Sequence, residues 1–127
     1  MKITLLYAGL SSLWFVVLSL RVIQKRRAGI SLGDGGDPDM ARRIRAHGNF
    51  AEYVPLALLM VGGLELDGAS PILVHALGAS LLGGRLLHGT ALAFREQFPF
   101  GRAGGTAFTL GTLITAGCLC IARFVDA

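Results

Sequence analysis

Charge is what this 127-residue chain has least of: 16% of its residues are Asp, Glu, Lys or Arg, against about 25% in an ordinary soluble domain. Aromatic residues are also few, at 8%, and there are only two cysteines. Each shortage excludes something. Two cysteines cannot build a disulfide framework, and Cys118 and Cys120, two apart on one helix, point in different directions and cannot bridge within it. They are expected to be packing thiols. No His, Cys, Asp or Glu spacing reads as a metal site, so no metal is expected, and there is no glycine loop of the kind that cradles phosphates. Neither a low-complexity tract nor an internal repeat divides the chain.

What remains is apolar. Hydrophobic residues make up 53% of the sequence and mean hydropathy is +0.60. Residues 3–20 carry no charge and are long enough to cross a bilayer. They are not a cleaved signal, because the positive cluster Arg21, Lys25, Arg26 and Arg27 follows the apolar run instead of preceding it. Segments 44–66, 71–94 and 103–122 are each near the roughly 20 residues a span needs. The expected fold is all-α: an integral membrane four-helix bundle, one domain over 1–127, with transmembrane helices at about 3–27, 39–66, 71–96 and 102–124. Helices two and three contain charges and are expected inside, lining a site; helices one and four are apolar enough to face lipid.

Lysine and arginine set the expected topology. The loop between helices one and two and its flanks carry Arg21, Lys25, Arg26, Arg27, Arg42, Arg43 and Arg45, and the turn between helices three and four carries Arg95 and Arg102. Both loops belong in the cytoplasm and both termini outside, because cytoplasmic loops collect Lys and Arg. That rule also accounts for the net charge of +4 and pI near 9.7, so no nucleic-acid partner is expected.

Packing between helices in lipid depends on small residues more than on apolar burial. Ala76, Ser80 and Gly84 recur every four residues on helix three, and Ala107, Gly111 and Thr115 on helix four. Either row serves packing within the chain or between copies of it, and homo-oligomerisation is expected. Pro55 removes a backbone donor inside helix two and predicts a kink. The loop Gly33-Asp34-Gly35-Gly36-Asp37-Pro38-Asp39 is a turn by composition, and Asp37 or Asp39 is expected to cap helix two.

The polar residues inside apolar helices need a reason, since hydrocarbon solvates neither charge nor amide. Arg45, Asn49 and Glu52 fall at i, i+4 and i+7, within roughly 60° of one another on a helix. Arg42 extends this stripe by one turn, whereas His47 lies about 200° from Arg45 and serves something else. Arg85 and His88, at i and i+3, form a second stripe on helix three. Side by side, the two predict a guanidinium-rich cavity suited to an anion, because arginine holds carboxylates bidentately. The competing reading is an inert network in which Glu52 pairs with Arg45 or Arg85.

Arg45-Ala46-His47-Gly48-Asn49-Phe50-Ala51-Glu52, preceded by Asp37-Pro38-Asp39 and followed by Tyr53 and Pro55, resembles the signature of the MAPEG family, the membrane-associated proteins in eicosanoid and glutathione metabolism. Gly33-Asp34-Gly35-Gly36, Glu65, Gly84-Arg85 with His88, and Arg102 before Gly105 resemble its bacterial inner-membrane subgroup. The resemblance implies a homotrimer of four-helix protomers in the bacterial inner membrane, with glutathione as co-substrate between neighbouring subunits near the cytoplasmic face. It implies that Arg45, Asn49 and Glu52 hold the peptide, joined by Arg85, and that Arg102 at the start of helix four is catalytic; the two stripes add His88 and Arg42 as further binding candidates. A fixed cation there favours thiolate over thiol, as it does for reactive cysteines. Membrane lipids and lipophilic small molecules are the other implied partners.

The chain departs from the family where some eicosanoid enzymes place a tyrosine late in helix three: it has Leu92 and Phe94 there, and its tyrosines are Tyr7 and Tyr53. A leukotriene or prostaglandin role is not supported. Either Arg21 or Lys25 is a further ligand candidate at the end of helix one. The expected function is therefore a glutathione transferase or peroxidase acting on lipophilic electrophiles. The alternatives are a small proton-coupled multidrug transporter working through Glu52 and a non-catalytic membrane scaffold. Arg45 and Arg85 near Glu52 argue against a cationic cargo.

Overall fold

A computed structural model describes residues 1–96 and 98–126. It contains four helices, α1 (Lys2–Arg27), α2 (Pro38–Leu66), α3 (Pro71–Ala93) and α4 (Pro99–Val125), and no strand among the described residues. Proline opens three of them, where a fixed φ suits the first turn and the missing N–H is not needed. Ser70 caps α3 by accepting from Leu73 N at 3.3 Å. Asp37 caps α2, accepting from Asp39 N at 2.8 Å and Met40 N at 3.2 Å. Asp39 is left free to meet Lys25 at 3.2 Å and Arg43 at 2.9 Å. α3 stops at Ala93 and α4 starts at Pro99, each shifted by about a turn from the expected 71–96 and 102–124. The proline at 99 explains the early start of α4. α2 continues unbroken through Pro55.

In the α1–α2 loop Gly35 has φ of 60°, and a Cβ there would also meet the Ile30 side chain at 3.1 Å. Glycine is the residue that adopts this conformation without strain. Asp34 Oδ1 accepts from Gly36 N at 3.0 Å, closing the turn.

α2 and α3 each pack on the other three helices, while among the described residues α1 and α4 do not pack on each other. Burial follows: 44% of the most apolar stretch of α3 is buried, against 17% for α1 and α4. Leu13, Ile114 and Ile121 are about two-thirds exposed, as lipid-facing side chains should be. Three helices, α1, α3 and α4, are long and apolar enough to cross a membrane. α2, expected as the fourth span, is 29 residues long but is not among these three. Arg42, Arg43, Arg45, Glu52 and Glu65 are distributed along it, and it is packed against protein on several sides instead.

α3 and α4 approach each other closely at Gly84 and Gly105. A Cβ on Gly105 would lie 2.5 Å from Gly84 O and 2.7 Å from His88 Cβ, so neither backbone has room for a side chain. Ser80, from the expected row on α3, accepts from Thr112 Oγ1 at 3.1 Å. The expected row on α4 faces the other way: Ala107, Gly111 and Thr115 are all exposed, while Gly105, Thr109, Thr112 and Ala116 are turned inward. Spacing alone identifies a shared face; it does not say which of two small-residue faces is buried. Cys118 is exposed and Cys120 half-buried, both as free thiols, with Cys120 Sγ 3.8 Å from Met60 O.

The α1–α2 hairpin is fastened at both ends. At one, Lys25 reaches Asp37 at 2.7 Å. At the other, the Glu65 carboxylate accepts from Ile3 N at 3.0 Å, Thr4 N at 2.8 Å and Thr4 Oγ1 at 2.6 Å. The two backbone donors are amides of the first turn of α1, which otherwise lack partners.

Candidate functional site

Near the α1–α2 loop end, α2, α3 and α4 enclose a cavity of about 180 Å³. α2 contributes Arg45, Asn49 and Tyr53; α3 contributes Arg85 and His88; α4 contributes Arg102, Thr106, Thr109 and Leu110. Arg85 is only 3% exposed. Its guanidinium donates to Gly105 O at 3.3 Å and to Asn49 O at 3.5 Å, so one side chain touches all three cavity-forming helices. The glycine contact makes that possible, since it brings the α4 backbone within reach of α3. Trp14 of α1 adds a brace from behind, donating through Nε1 to Arg85 O at 3.2 Å.

A polar chain runs from the rim inward. Arg45 donates to Asn49 Oδ1 at 3.4 Å, and Asn49 Nδ2 lies 3.5 Å from His88 Nε2. His88 is 4% exposed. The Arg85 guanidinium also sits 5.6 Å from the centroid of the Tyr53 ring, within the range of a cation–π contact. One donor, Arg85 Nε, is buried without a partner.

The cavity has three guanidinium groups and no carboxylate among its lining residues. Among the described residues, Arg45, Arg85 and Arg102 form no ion pair. Two acids of this end, Asp37 and Asp39, are engaged elsewhere. Asp39 pairs with Lys25, Arg42 and Arg43, and the Lys25 ammonium beside Asp37, helped by the Met40 amide, holds that carboxyl below its usual range.

The structure thus brings together Arg45, Asn49, Arg85, His88 and Arg102, and leaves two expected site residues outside. Glu52 is exposed, forms no ion pair among the described residues and does not line the cavity. Among the described residues Glu52 is paired with neither Arg45 nor Arg85. Arg42 lines a neighbouring cavity of about 440 Å³, reached from the first across Arg102. Arg21 and Lys25 are both occupied: Arg21 donates to Ala93 O at 2.9 and 3.2 Å, and Lys25 holds the two loop aspartates. His47 stacks on Phe15 with centroids 4.5 Å apart. Tyr53 and Thr109 were not singled out as site residues by the sequence. Tyr53 follows Asn49 by four, the one signal that placed it on the same flank.

Three membrane-length apolar helices, and a cavity lined by three arginines with no carboxylate, define an integral membrane four-helix protein with an anion-suited site. The sequence profile of the MAPEG family matches residues 4–122, and the chain belongs to that family. Curated relatives include the inner membrane protein YecN of Escherichia coli K12 and its counterpart in Escherichia coli O6:H1, each 39% identical over 87 residues. That match covers 68% of this chain and 66% of each relative, slightly under two thirds of their length. No solved structure matches the chain.

Proposed function

We propose that this protein binds glutathione in the bacterial inner membrane and uses its thiolate, as a transferase or peroxidase, against lipophilic electrophiles that arrive from the bilayer. The observation that carries this reading is the unneutralised trio Arg45, Arg85 and Arg102. The Arg85 guanidinium is buried and needs counter-charge, Arg45 and Arg102 stand exposed at the mouth of the same cavity, and a peptide with two carboxylates and an ionisable thiol supplies anionic groups for all three. A cationic cargo would meet only repulsion there, which disfavours the transport reading.

Arg45, Asn49, Arg85 and His88 hold the peptide in this reading, and Arg102 stabilises the thiolate. The thiolate attacks the electrophilic carbon and displaces its leaving group. With a hydroperoxide it attacks oxygen, releases an alcohol, and a second glutathione completes the disulfide and water. The cavity, at about 180 Å³, is smaller than the roughly 300–1,000 Å³ of ordinary ligand sites, so part of the peptide extends beyond it. Glu52 stands on the adjacent exposed flank, where it would receive the amine between subunits. A homotrimer supplies that neighbour, and the exposed Ala107, Gly111 and Thr115 face offers it close packing. Inner-membrane placement follows the name of the YecN relatives, and the positive-inside rule puts both basic loops in the cytoplasm.

The test is calorimetric titration of glutathione and S-hexylglutathione into the detergent-solubilised wild type and Arg45→Ala. Saturable wild-type binding, weakened about tenfold or more by the substitution, is the expected result. A well-folded wild-type oligomer that binds neither compound overturns the proposal.

A further inference from the structure

The second cavity has no role in the reading above. It is more than twice the size of the first and lies between the ends of α2, α3 and α4, with Leu92, Phe98 and Pro99 forming apolar walls. Arg42 and Arg102 are its cations, and Arg102 lines both cavities. Arg42 Nε is buried with no partner. The NH2 of the same guanidinium is 3.4 Å from Asp39 Oδ1 and 3.5 Å from Glu96 Oε1. Glu96 is itself 86% exposed, so its hold on Arg42 is that of a weak surface pair. Its carboxylate marks where an incoming carboxylate would rest against Arg42.

We propose that this second cavity is the acceptor subsite, and that it selects compact apolar electrophiles carrying one carboxylate, the acid displacing Glu96 from Arg42 while the reactive carbon points towards Arg102. This rests on the thiol reading of the first cavity. Arg102 is the group the two sites share, so a thiolate it stabilises on one side faces the acceptor on the other. For an α,β-unsaturated ketone, sulfur bonds to the β-carbon and the π electrons move to the carbonyl oxygen. The enolate then takes a proton from water at the α-carbon. Nothing leaves, and no oxidant or reductant is consumed. A cavity of about 440 Å³ lies within the ordinary range for a molecule of drug size.

Ethacrynic acid, an aryloxyacetic acid bearing an enone, is a suitable turnover probe. Its saturated dihydro analogue cannot alkylate thiols and serves for binding without glutathione. Calorimetry of the dihydro acid and its methyl ester is expected to show saturable binding of the acid, weakened about tenfold or more in Arg42→Gln, with the ester unaffected by the substitution. Glu96→Gln, on an exposed turn, is expected to tighten the acid about twofold to fivefold by removing its competitor. Turnover of ethacrynic acid is expected to follow in KM, with kcat changed little. S-hexylglutathione affinity is expected to stay constant in both variants, which separates this subsite from the thiol site: loss of the thiol ligand in wild type sinks the parent reading, whereas the dihydro acid reports on the second cavity alone. Equal binding of acid and ester, or a Glu96→Gln variant that binds the acid no better, overturns the proposal.

Discussion

Arg42 and Arg43 lie within one turn of Arg45 on α2, yet the two groups live in opposite electrostatic worlds. Arg43 is held by Asp39 at 2.9 Å and donates to Arg21 O at 2.8 Å, and Arg42 is shared between Asp39 and Glu96. Arg45, with Arg85 and Arg102, has no carboxylate at all among the described residues. Positive charge near a membrane surface is therefore two things in this molecule. Where acids accompany it, it ties α1 to α2; where they are withheld, it stands without counter-charge among the described residues.

The largest expected effect breaks the unpaired group. Arg102→Ala should lower turnover about 100-fold, the usual cost of one preorganised donor to developing charge. S-hexylglutathione affinity should stay within about threefold, since the interaction acts mainly on the transition state. Steady-state kinetics beside calorimetry checks this, and an equal loss of binding would reassign Arg102 as a ligand group. An intermediate effect breaks the paired group. Asp39→Asn removes a shared partner of three cations and should lower stability by about 1–2 kcal/mol, seen as a drop in the thermal unfolding midpoint, with ligand affinity unchanged. Ligand loss there would erase the contrast between the two groups.

The smallest effect is in acid. The folded-state pKa of Asp37 lies below its ordinary value of 3.8, chiefly through Lys25 and then the Met40 amide. A lowered carboxyl contributes its full stability above the unfolded pKa and loses it as pH falls through the folded pKa. Unfolding midpoints should therefore be insensitive to this group from pH 5 to 7 and fall below about pH 4. Asp37→Asn should flatten that acid limb, and an unchanged limb would remove Asp37 as its cause.

Much of this was legible in the chain. The four helices and the inner place of α3 follow from apolar runs interrupted by charge, because a polar residue in lipid has to turn inward. The stripe on α2 was legible as a stripe but not as a boundary. On a helical wheel Asn49 and Tyr53 advance about 40° and 80° from Arg45, while Glu52 falls about 20° behind it. The cavity lies on the advancing flank, so Tyr53 enters and Glu52 stays out. No one-dimensional spacing decides which flank a neighbouring helix covers. The same ambiguity set Ala107, Gly111 and Thr115 against the face that is in fact buried, Gly105, Thr109 and Thr112. Arg42 is a different case, since its separation from Arg45 depends on how α4 begins at Pro99, and that is tertiary geometry.

The α1–α2 hairpin, fastened by Lys25 at one end and Glu65 at the other, is mechanically a beam clamped at both supports. Such a beam cannot splay; the freedom left to it is to bow at mid-span. The middle of this one holds Pro55 and a groove of about 350 Å³ beside Phe15, Phe50 and Val54. Bowing there would carry Arg45 and Asn49 together, so the α2 wall of the cavity shifts as one plate, keeping its internal spacing while its distance to α3 and α4 changes.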